Sequence, residues 1–91
     1  MVVIILECAS ETLRGELTKW LLETKAGVFV GNVNSMVRNK LWEKVASGQQ
    51  NGALLLYSSN NEQGFSMEMI GEPHKGIVDL DGVYLIKTQK N

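Results

Sequence analysis

Few side chains in this sequence are of a type and placement suited to chemistry. Glu7 is the carboxylate that follows directly on the apolar run Val2-Val3-Ile4-Ile5-Leu6, at the carboxyl end of an expected strand. Its plainer role is to open a loop and place negative charge before a helix. The only aspartates, Asp79 and Asp81, fall late in the chain and offer little else for a metal nuclease. The single histidine, His74, precedes Lys75, and no serine-histidine-aspartate grouping accompanies it. The single cysteine, Cys8, excludes an intramolecular disulfide and a multi-cysteine zinc site. The glycines from Gly27 to Gly31 lack the lysine and hydroxyl residue of a phosphate-binding loop.

The remaining candidates are cations. Arg14 adjoins apolar Leu13 and is expected at the rim of a buried helical stripe, where a guanidinium can reach phosphate or pair with Glu11 or Glu16. Lys25, Arg38 and Lys40 read individually as solvated positions that could extend such a patch. The chain has 9 basic and 10 acidic residues and a net charge of −1. A free-standing nucleic-acid binder usually carries a basic excess, so any such contact must come from a local patch or a basic partner.

Ninety-one residues, of which 44% are hydrophobic, describe one ordinary globular domain over 1–91. So short a chain buries a modest core, and a second copy is a natural source of further burial. The first apolar run is too short for a signal-sequence core, and no stretch approaches a membrane span. A cytoplasmic protein with no membrane partner is expected.

Val2 to Leu6 reads as a central strand buried on both faces. Ser10 can cap a helix running roughly over residues 10–24, with Leu13, Leu17, Trp20 and Leu21 at helical spacing and Gly27 as the stop. One short strand, Val28-Phe29-Val30, follows. Asn34 or Ser35 caps a second helix reaching about Gln49, and Trp20 and Trp42 are both expected in the core. Ala53 to Tyr57 and Phe65 to Ile70 flank a polar hairpin loop, Gly71 to Asp81 reads as a connector, and Val83 to Ile86 closes the chain. A right-handed βαβ unit followed by a hairpin implies a mixed sheet with helices on one face. The fold class is α+β: a ferredoxin-like βαβαββ-type sandwich with an extra C-terminal strand. Its open sheet face is apolar, and packing two sheets together in a homodimer is the simplest way to cover it.

Across nearly its whole length the sequence resembles the CRISPR-associated Cas-two proteins, specifically the I-E subtype. The residues carrying the resemblance are Glu7, Leu13-Arg14-Gly15 and Trp20-Leu21-Leu22-Glu23. They continue through Ala26-Gly27-Val28-Phe29-Val30-Gly31-Asn32-Val33, Leu41-Trp42-Glu43, Gly64-Phe65 and Val78-Asp79-Leu80-Asp81-Gly82. Two departures stand out: many members end strand 1 on aspartate where Glu7 stands, and related subtypes have two strands between the helices.

The resemblance implies a homodimeric DNA-binding scaffold of the CRISPR adaptation complex. Such a dimer bridges two integrase dimers and holds the captured double-stranded DNA for spacer insertion. Arg14 matches an arginine that reaches the DNA backbone, the neighbouring basic position is Thr12, and His74-Lys75 falls where the subtype carries a basic pair. Lys25 and Arg38 would add to the patch. Residues 82–91 would form a strand and tail at the dimer and integrase interface, through Val83, Tyr84, Leu85, Ile86 and Lys87. The alternative is a metal-dependent endonuclease on RNA or DNA, in which two Glu7 carboxylates meet across the dimer axis and share magnesium. The scaffold role itself requires no cofactor.

Overall fold

A computed structural model describes residues 1–48 and 52–71 in full, and the strands 75–80 and 83–88 as backbone. The chain runs through β1 (Val2–Leu6), α1 (Glu11–Leu17), β2 (Leu22–Lys25), β3 (Val28–Gly31), α2 (Ser35–Gly48), β4 (Gly52–Ser58), β5 (Phe65–Gly71), β6 (Lys75–Leu80) and β7 (Val83–Thr88). The first five strands form one sheet in the order β2-β3-β1-β4-β5, and β6 and β7 pair separately. β1 is therefore central, as its uninterrupted apolar run predicts.

Both helix starts follow their capping residues. The Ser10 hydroxyl accepts the Leu13 N–H at 3.1 Å, and Asn34 Oδ1 accepts the Val37 N–H at 2.9 Å. Each cap satisfies a backbone donor that the first helical turn leaves without a partner.

The first helix is half the expected length. α1 stops at Leu17, where the Thr18 hydroxyl turns back onto the carbonyls of Arg14 and Gly15 at 2.9 and 3.2 Å. Residues 18–21 form a turn, and Leu22–Lys25 becomes an additional strand. Two strands, not one, therefore lie between the helices. The reason is tertiary: without β2, the outer edge of β3 would have no partner within this sheet. Gly27 is not a helix stop but the second residue of the β2–β3 turn, with φ +80°. A Cβ there would also collide with the Leu6 carbonyl. Trp20 consequently stands in solvent at 55% exposure, whereas Trp42 packs partly buried against the core.

The extra strand changes the topology. β1 and β3 are antiparallel neighbours, with Ile4 opposite Phe29, and β1 is antiparallel to β4, with Ile4 opposite Leu55. β2 runs antiparallel to β3 and hence parallel to β1, so the βαβ unit is split by β3. The sheet is wholly antiparallel where a mixed one was expected, and its order is compatible with a ferredoxin-like fold. Lys75–Leu80, expected as part of a connector, is a strand paired with Val83–Thr88, with Asp79 opposite Tyr84.

Strand alternation divides the sheet into two faces. Val2, Ile4 and Leu6 share one buried core with Phe29, Ala53 and Leu55, closed over by Leu13 and Leu17 of α1 and Leu41 and Val45 of α2. Phe29, Ile4, Leu17, Leu41, Leu55 and Val45 are fully buried, each stabilising the fold by about 1.5–3 kcal/mol. Val3, Ile5, Val28, Val30, Leu54 and Leu56 occupy the opposite face by register. All but Leu54 keep part of their surface in solvent.

Candidate functional site

The chain between β1 and α1 bends at Glu7 and Cys8 and enters the helix through the Ser10 cap. The β2–β3 turn closes over the same end of the sheet, where the Leu6 N–H donates to the Gly27 carbonyl at 2.8 Å. Between these two connections opens a pocket of about 240 Å³, lined by Leu6, Glu7, Cys8, Ala9, Arg14, Ala26 and Gly27. Glu7 and Arg14, singled out in the sequence for different reasons, thus share one cavity.

Glu7 is exposed and tied to β4. Its N–H donates to the Gly52 carbonyl at 3.0 Å. Its carboxylate lies against Gly52, where an added Cβ would come within 3.0–3.2 Å of the carboxylate atoms. Among the described residues, no group of three or more histidine, cysteine, aspartate or glutamate side chains is placed to hold a metal. Magnesium takes oxygen donors in a near-octahedral shell, usually from one or two carboxylates plus waters. Glu7 would offer such an ion one carboxylate from each chain, with waters completing the shell.

Arg14 does not pair with Glu11 or Glu16. Its Nη2 meets both oxygens of Glu23, at 3.1 Å to Oε1 and 3.0 Å to Oε2. The same Oε2 accepts the Gly27 N–H at 3.0 Å. The Gly27 N–H, first, and the Arg14 guanidinium hold the Glu23 carboxyl below its ordinary pKa. The Arg14 side chain remains 46% exposed while that of Glu23 is only 18% exposed, so the cation faces outward and the anion backs it. Glu16, meanwhile, lies between Lys19 at 3.6 Å and Lys44 at 3.8 Å, linking the two helices.

The other candidates are dispersed. Thr12 is exposed on α1, but a helix turns two residues about 200° apart, so it does not share Arg14's direction. Lys25 is exposed at the end of β2, next to the turn that borders the pocket. Arg38 stacks its guanidinium 3.8 Å from the Tyr57 ring centroid, and Nη2 donates to Asn39 Oδ1 at 3.3 Å. Its Nε is buried without a hydrogen-bond partner among the described residues. Tyr57 lies opposite Val2, so Arg38 belongs to the far end of β1 from Arg14, roughly 13 Å away along the strand. Lys75 begins β6 and pairs with Thr88, Val83 to Lys87 lie in β7, and His74 falls outside the described residues.

Sequence reasoning missed the role of Glu23, which fell inside the helix expected over residues 10–24. The usable signal was a carboxylate followed four residues later by the glycine of a tight turn. It also missed Gly52 as the seat of Glu7 and Tyr57 as the platform of Arg38, contacts made only when β4 meets β1 and α2.

A family model described as CRISPR-associated protein (Cas_Cas2CT1978) matches residues 1–85 of the 91. The match takes in the pocket, both helices and the whole five-stranded sheet.

Proposed function

The chain belongs to the CRISPR-associated Cas2 family of adaptation proteins, and on that premise we propose that it works as a homodimeric, duplex-binding scaffold of the I-E kind. In this reading two copies pack through their sheets, bridge two integrase dimers and hold the captured DNA while its ends are inserted. The observation that carries the reading is Arg14: a half-exposed guanidinium, fixed at the rim of the strand-end pocket, in a chain of net charge −1. A cation held in one place suits a contact that sets position along a duplex, since phosphate contacts fix register and carry no base sequence. The apolar second face of the sheet supports self-association, because association removes such a surface from water.

Lys25, Thr12, Arg38, Lys75 and His74 are proposed as supplementary backbone contacts, each copied twice by the dimer. The segment 82–91 is proposed to meet the second copy and the integrase. The setting is the cytoplasm; no helix among the described residues is long and apolar enough to cross a membrane. We rank nuclease chemistry at Glu7 second, because it needs the Glu7 of a second copy as well as a bound cation, whereas the Arg14 contact is already formed within one chain.

The test is duplex binding by wild-type protein and Arg14→Ala across a salt series. Each protomer should lose one phosphate contact, so the dependence of log K on log salt should flatten by about 0.9 per protomer engaged. Binding and slope that do not change on replacing Arg14 would remove the basis of this reading.

A further inference from the structure

We propose that Glu23 is a positioning residue for DNA binding: anchored by the Gly27 amide, it holds the Arg14 guanidinium at the pocket rim in the orientation that meets phosphate. The inference rests on the duplex-binding reading of Arg14 and adds a residue to it.

The geometry is a relay of three groups from three elements. Gly27, in the β2–β3 turn, donates its N–H to Glu23 Oε2 at 3.0 Å. Glu23, in β2, meets Arg14 Nη2 with both oxygens, at 3.0 and 3.1 Å. Arg14, in α1, carries the charge to the pocket wall. Both carboxylate contacts fall on one terminal nitrogen, which tethers that corner of the guanidinium to β2. An arginine on a helix surface otherwise samples many rotamers, and ordering it costs part of whatever a phosphate contact gains. Glu23 orders it before DNA arrives. The turn in turn orders Glu23, because Gly27 is fixed by its left-handed backbone and by its carbonyl's bond to Leu6. The β2–β3 hairpin that the sequence conceals is thus the buttress of the cationic contact.

This reading and a charge-only reading predict opposite signs. Glu23→Gln removes one negative charge per protomer, and long-range attraction alone would tighten DNA binding. Loss of positioning weakens it. The experiment measures duplex binding at low salt for Glu23→Gln, Arg14→Ala and the double variant, with the thermal midpoint of each recorded. We expect Glu23→Gln to weaken binding about fivefold despite the gain in net positive charge, within the range found for coupled neighbours. Added to Arg14→Ala, it should produce no further weakening. Glu23→Asp keeps the charge but shortens the reach, and should weaken binding in the same direction.

Tighter or unchanged binding by Glu23→Gln, or an equal weakening in the Arg14→Ala background, would overturn the proposal and leave the role of Arg14 standing. An Arg14→Ala variant that binds as well as wild type would overturn both.

Discussion

Acid reveals what the carboxylate of Glu23 contributes to the fold. Its pKa is lowered in the folded chain from an ordinary value of 4.5, first by the Gly27 N–H and then by Arg14. A carboxyl whose folded value is depressed stabilises the fold above its unfolded pKa, and that contribution disappears as pH falls through the folded value. The contribution of Glu23 is therefore complete at neutral pH and fades below about pH 4.5. Unfolding measured from pH 6 to pH 3 should show a shallower loss of stability in Glu23→Gln than in wild type. Identical slopes would mean that the two hydrogen bonds add nothing to the folded state. The helix cap Ser10 was legible in the sequence, and Asn34 was one of two candidates with Ser35, because a cap bonds an amide three residues ahead. Glu23 was not, because one of its partners lies nine residues back on another element. Which carboxylate an arginine chooses is decided by folding in three dimensions, and Glu11 and Glu16 were nearer only along the chain.

Secondary-structure elements show the same division. β1, β4, β5 and α2 were readable because each carries its own pattern: a continuous apolar run, an alternation, or a stripe behind a cap. α1 and β2 were read as a single helix because Leu13, Leu17, Trp20 and Leu21 recur at helical spacing. That spacing is compatible with a helix but does not require one. Only Leu13, Leu17 and Leu21 are buried, and Leu21 reaches the core from the turn leading into β2. Local preference yields here to pairing with β3. The hairpin turns on Gly27, whose φ of +80° and contact with the Leu6 carbonyl leave no room for a side chain. Gly27→Ala should destabilise the protein by at least about 1–2 kcal/mol in urea titration. Gly15→Ala, in open space on α1, should be neutral or stabilising. Equal stabilities for the two variants would show that the turn relaxes without cost.

The five-stranded sheet is one-sided among the described residues. Both helices cover the face of the sheet bearing Val2, Ile4 and Phe29, while Val3, Ile5, Val28 and Val30 line the other. If two copies share that second face, Val30→Glu should convert a dimer into a monomer in sedimentation or light scattering, since it would place a carboxylate without a partner in an apolar interface. Wild-type protein that remains monomeric at high concentration would refute sheet-to-sheet pairing. The order of elements read from the sequence already implied this one-sidedness, since it placed the helices on one face of the sheet and left the other apolar and open.

β5 has β4 on one flank and, among the described residues of the five-stranded sheet, nothing on the other. Along its seven residues, main-chain amides and carbonyls stand in a row like teeth awaiting a zip. Phe65, Met67 and Met69 point one way from this row, and Ser66, Glu68 and Ile70 the other. An extended strand laid along that border would lengthen the sheet by one member without disturbing the packing beneath the helices.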